Sequence, residues 1–129
     1  MNILIVDDHP LNVDSYVALL SQIESNKNAS FHLAYNCKQA YDLITQLDRN
    51  EINIDMAFID LSLPAYEELN FRSGDEIGSL VQQKFPNVNL IANKDNKGFS
   101  SANNQAIELS NAKYVLLLNP DTVIEEDTL

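Results

Sequence analysis

The stretch Asn2-Ile3-Leu4-Ile5-Val6 is apolar after its first residue and stops abruptly at Asp7-Asp8. Ile3, Ile5 and Val6 are β-branched, which favours an extended backbone. A strand with no polar alternation is buried on both faces, the habit of strands inside parallel sheets. It needs helices above and below it, so this one run commits the chain to an α/β fold. The rest of the sequence supplies the partners. Val13, Tyr16, Val17, Leu20 and Ile23 stand at helical spacing, with Pro10 where a first turn tolerates it. Phe31–Tyr35 reads as a weaker strand. Ala40, Leu43, Ile44 and Leu47 repeat the helical spacing, and Ile54–Ile59 is a second strong buried strand ending at Asp60.

Ala65 to Arg72 is polar and reads as a loop. Ser73 and Glu76 then form a capping box, in which each side chain satisfies a free backbone N–H at the other residue. Ile77, Leu80 and Val81 carry a helix to about Phe85, and Pro86 stops it. Val88–Ala92 is a strand, Ser100–Ser110 a helix and Tyr114–Leu118 a strand. Thr122 and Glu125 make a second capping box shortly before Leu129. Five βα units in succession predict a parallel sheet covered on both faces and joined by right-handed crossovers. A chain of 129 residues suits one domain of that kind.

Net charge narrows the partners. Eight basic against nineteen acidic residues give −11, which repels nucleic-acid backbones and anionic membrane surfaces and suits cations. Cys37 is the single cysteine, so no intramolecular disulfide forms, which fits a reducing, cytoplasmic setting. The late apolar run Tyr114–Leu118 is far short of the ~20 residues that span a bilayer. The N-terminus lacks the cationic start of a cleaved signal peptide.

Ligands of parallel α/β sheets bind beyond the carboxyl ends of the strands. The residues there are Asp7, Asp8, Asn36, Asp60, Asn93 and Asn119. The first and third strands are commonly neighbours in such sheets, which would bring Asp7, Asp8 and Asp60 within a few ångströms. Carboxylates that close raise a pKa or demand a cation, and a hard divalent ion such as Mg²⁺ answers the demand. The plainer alternative is that Asp7 and Asp8 cap the following helix.

Ile3-Leu4-Ile5-Val6-Asp7-Asp8-His9-Pro10 and Phe58-Ile59-Asp60-Leu61-Ser62-Leu63-Pro64 resemble a response-regulator receiver domain over about residues 1–86. The resemblance implies a flavodoxin-like, three-layer, doubly wound five-stranded sheet in the order 2-1-3-4-5, here with its fifth helix truncated. It implies Asp60 as phosphoacceptor, with Mg²⁺ held by Asp7, Asp8, Asp60 and the Ser62 backbone carbonyl. The expected partner is a sensor histidine kinase or a small phosphodonor, and the expected role a phosphoacceptor module rather than a turnover enzyme. Two family positions depart. Asn93 stands where a hydroxyl residue belongs, and Asn119, before Pro120, stands where Lys belongs. Asn brings no charge to a phosphoryl site, so transfer to Asp60 is expected to be impaired.

The last third carries a different resemblance. Asn96-Lys97-Gly98-Phe99-Ser100-Ser101-Ala102-Asn103-Asn104 and Asn119-Pro120-Asp121-Thr122 look like a family 2 glycosyltransferase of the rhamnosyltransferase-like branch, over about residues 85–129. That resemblance implies that Asp121 helps a divalent metal hold a nucleotide-sugar diphosphate, and that Asn104 lies along the nucleotide-sugar pocket. The plainer reading of Asp121 is the start of the last helix, and of Asn104 an exposed polar residue. Residues 1–129 are thus expected as one receiver-like domain, with 87–129 completing the sheet as a glycosyltransferase-like segment. The alternative is a chimeric or truncated protein carrying a glycosyltransferase fragment without catalytic activity. The apolar last strand, thinly covered at a sheet edge, adds a homodimer to the expected partners.

Overall fold

The computed structural model describes residues 1–22 and 28–89, together with Asn104, Gln105 and Glu108. The chain divides into two compact units, Met1–Leu90 and Ile91–Leu129. In the second unit the three described residues are helical, inside the span that the periodicity assigns to a helix. The fourth and fifth expected strands, the closing helix, and Asn93, Asn119 and Asp121 lie outside the described residues, save that Val88 and Asn89 are not in a strand. The five-stranded sheet is therefore replaced by a coarser result, an α/β unit built on three parallel strands.

Those strands are β1 (Asn2–Val6), β2 (Ser30–Ala34) and β3 (Met56–Ile59). Their order is β2-β1-β3, all parallel, with Val6 paired to Ala34 on one side and Ile59 on the other. The helices are α1 (Pro10–Gln22), α2 (Cys37–Arg49) and α3 (Gly74–Lys84). β1 is central, and Ile3, Leu4, Ile5 and Val6 are fully buried. Side chains alternate across a strand, so the run feeds two cores. Leu4 and Val6 pack with Cys37, Ala40, Ile44 and Leu47 of α2 and with Ile77 and Val81 of α3. Ile3 and Ile5 pack with Val13 and Leu20 of α1. Burying each such side chain stabilises by ~1.5–3 kcal/mol.

β3 starts two residues later than its apolar run. Asp55 is the cause: its N–H donates to the Asn2 carbonyl at 2.9 Å, and its carboxylate accepts from the Asn2 N–H at 2.7 Å. That exchange closes the sheet end and leaves Ile54 buried but outside the ladder. The polar loop before α3 is more ordered than its composition suggests. Tyr66 and Phe71 exchange two backbone hydrogen bonds around a single 3-10 turn, Glu67–Leu69, and Asn70 takes the left-handed conformation (φ 55°). Lys84 of α3 pairs with Asp48 of α2 at 2.8 Å.

The capping box at α3 is formed. Ser73 accepts from the Asp75 N–H, and the Ser73 N–H donates to the Glu76 carboxylate at 3.0 Å. The Glu76 pKa is held below its ordinary value, chiefly by its own backbone N–H, with Ser73 contributing further bonds. A depressed folded pKa stabilises above the unfolded value, ~4.3, and the gain is lost as pH falls through the folded one. Urea midpoints between pH 7 and pH 3 should therefore fall less in Glu76→Gln than in the parent chain. Equal falls would detach the carboxylate from the cap.

Candidate functional site

The carboxyl end of the sheet gathers four ligand-bearing side chains. Asp7 and Asp8 follow β1, His9 precedes α1, and Asp60 follows β3. One ligand atom from each lies within 4.8 Å of all the others. The pairing of β1 with β3 causes this: Val6 stands opposite Ile59, and the Asp60 N–H donates to the Val6 carbonyl at 2.8 Å.

Asp7 is buried, at 4% exposure. Its Oδ1 accepts from the His9 N–H at 2.8 Å, and the Asn12 side-chain amide reaches both oxygens at 3.3 and 3.1 Å. Asp7 thus bonds the N–H of His9, the residue before α1, and not an N–H within the helix, while also facing the cluster. Asp8 Oδ1 is shielded from water and lies 2.8 Å from His9 Nδ1, off the line of a good hydrogen bond. The His9 ring is mostly exposed. Asp60 Oδ1 accepts from the Ser62 N–H at 3.0 Å. Tyr16 of α1 stacks on Phe58 with ring centroids 5.4 Å apart. Its hydroxyl pKa is raised, mainly by burial and further by the negative charges of Asp7 and Asp60.

Three carboxylates and an imidazole converging on one point suit a hard divalent cation that takes oxygen ligands. The chemistry of the donor set fits Mg²⁺, and the imidazole widens the fit toward Mn²⁺. Asn12 and Tyr16 are the neighbours that sequence reasoning missed. Asn12, on the first turn of α1 five residues past Asp7, carried the only legible signal, a polar side chain placed to reach back. Among the expected site residues of the second unit, Asn104 is described: it is helical and exposed. A shallow groove of about 550 Å³ runs along α2 between Tyr41 and Asn50, away from the carboxylates in sequence. Among the described residues no helix is long and apolar enough to cross a membrane.

Comparison with known proteins redirects the functional reading. Residues 72–129 match glycosyl transferase family 2. The minor teichoic acid biosynthesis protein GgaB of Bacillus subtilis (strain 168) is 28% identical over 85 residues, which is 66% of this chain and 9% of that protein's length. No solved structure matches the chain. The family match begins at Arg72, ahead of residue 85, the expected start of the second resemblance, and so takes in all of α3. Any 85-residue stretch of a 129-residue chain includes residues 45–85, so the likeness to GgaB also runs up to that residue from before it.

These matches overturn the reading as a response-regulator receiver domain acting in a two-component phosphorelay, with Asp60 taking phosphoryl from a histidine kinase or small donor. The stretch Asn96–Asn104 and the run Asn119-Pro120-Asp121-Thr122, which carry the other resemblance, both fall inside the matched residues. Convergent strand-end carboxylates mark a geometry and not a reaction. The last part of the chain is glycosyltransferase-like.

Proposed function

We propose that this chain provides a nucleotide-sugar-binding segment of the family 2 glycosyltransferase kind, without transfer activity by itself. The observation that carries the reading is the family match over residues 72–129, which contains Asn119-Pro120-Asp121-Thr122. In this reading Asp121 holds a divalent metal against the diphosphate, and Asn104 lies along the sugar-nucleotide pocket. The metal supplies positive charge to the diphosphate oxygens when bound, and the chain's own residues orient the nucleotide. The matched stretch is 9% of GgaB's length, so binding, and not that protein's whole activity, is what is carried over.

The convergence of Asp7, Asp8 and Asp60 favours a second, separate property: the first unit binds Mg²⁺ or Mn²⁺ weakly. Mutual repulsion of the carboxylates is relieved by the ion. One calorimetric series tests both readings. Nucleoside diphosphates titrated in the presence of MnCl₂ should bind the parent chain, and Asp121→Ala should weaken them by about tenfold or more, ~1.4 kcal/mol. MnCl₂ alone should raise the melting temperature of the parent chain more than that of Asp8→Asn. No nucleotide binding at any Mn²⁺ concentration overturns the first reading. Equal thermal shifts in parent and Asp8→Asn overturn the second.

A further inference from the structure

We infer that Gly74 is the residue that positions Asp60 within the carboxylate cluster; the consequence for cation binding rests on the second property proposed above. Gly74 opens α3 and is buried. A Cβ there would overlap the Asp60 carbonyl oxygen, and would press on the Asp60 carbonyl carbon at 2.9 Å and on Leu61 Cα at 3.0 Å. All three atoms are backbone, so no side chain can swing aside, and the Asp60–Leu61 peptide itself must move. Glycine is needed here for space, since its φ is not in the left-handed range.

Three hydrogen bonds show what would move with it. The Gly74 N–H donates to the Leu61 carbonyl at 3.3 Å, and the Asp60 N–H donates to the Val6 carbonyl at 2.8 Å. The Ser62 N–H donates to Asp60 Oδ1 at 3.0 Å. The turn bearing Asp60 is thus held between β1 and the first residue of α3. Asp7 and Asp8 follow β1, and the three atoms nearest to that Cβ all belong to Asp60 and Leu61. A shift at 74 therefore changes the distance from Asp60 to the other two carboxylates instead of moving all three together. Ligand geometry must hold to within ~0.5 Å to keep affinity.

The experiment compares full-length Gly74→Ala, Ser73→Ala and Val81→Ala. Val81 lies on the same helix, away from its N-terminus, and its truncation serves as a control for loss of stability. Amide proton resonances are read without metal, and Mn²⁺ affinity is read separately. In Gly74→Ala the Asp60 and Ser62 amide resonances should shift and Mn²⁺ affinity should fall about tenfold, with neither change in Val81→Ala. Should Gly74→Ala fail to fold, Ser73→Ala decides: freeing the start of α3 should shift the same two resonances. Asp60 and Ser62 resonances that superimpose on the parent's in the folded variants would overturn the inference. A parent chain that binds no Mn²⁺ would end the cation reading, while the metal-free resonances would still decide the positioning role.

Discussion

Leu4→Asp should leave the first unit unfolded at 25 °C. Leu4 sits in the middle of the central strand at 0% exposure, among Ile44, Ile77 and Val81. Among the described residues no Lys or Arg is buried. An unpaired carboxylate there costs several kcal/mol in desolvation, added to the lost burial of Leu4. Total stability for a domain is roughly 5–15 kcal/mol, so the sum consumes most of it. Far-ultraviolet circular dichroism should show loss of helix at neutral pH. A native spectrum with a cooperative melt would show that the sheet is not covered on that face.

Ile44→Ala should lower the unfolding free energy by about 2–5 kcal/mol. Ile44 is fully buried and belongs to the larger core, where α2 and α3 cover the sheet together. Surroundings fixed by two helices and a strand relax poorly, which places the change toward the upper part of that range. Val13→Ala, in the smaller core against α1, removes less volume and should cost less. Urea unfolding of both variants checks the order; a larger loss at Val13 would mean that α1 holds the sheet more firmly than α2.

How much of this was legible in the sequence follows from which physical signals are local. The strand Asn2–Val6, the stripes at Val13 and Ile44 and the Ser73/Glu76 box depend on periodicity and on contacts three or four residues apart. The late start of β3 was not legible, because Asp55 makes its bonds to Asn2, at the far end of the chain's first strand. The close approach of Gly74 to Asp60 was hidden for the same reason. Glycine in a helix's first turn has many causes, and this one exists only once α3 lies against the turn after β3.

Function followed another logic. Asp7, Asp8 and Asp60 were found as candidates because strand ends in parallel sheets converge, and that rule knows geometry but no substrate. Reaction class is marked better by specific residue runs, such as Asn119-Pro120-Asp121-Thr122 inside the matched stretch. Weighting the convergent acids above those residues gave the wrong reaction class for the chain, although its last part was read correctly.

Cys37 gives the molecule a clock. It is the chain's single thiol and lies fully buried at the start of α2, with Sγ 3.4 Å from the Pro64 carbonyl oxygen. Burial raises its pKa, and the nearby Glu76 charge raises it further. Only the thiolate reacts with disulfide reagents. Each modification therefore records an excursion in which α2 has left the loop before α3. Under rapid labelling, the rate of colour release from an aromatic disulfide gives the frequency of those excursions, with no engineered probe.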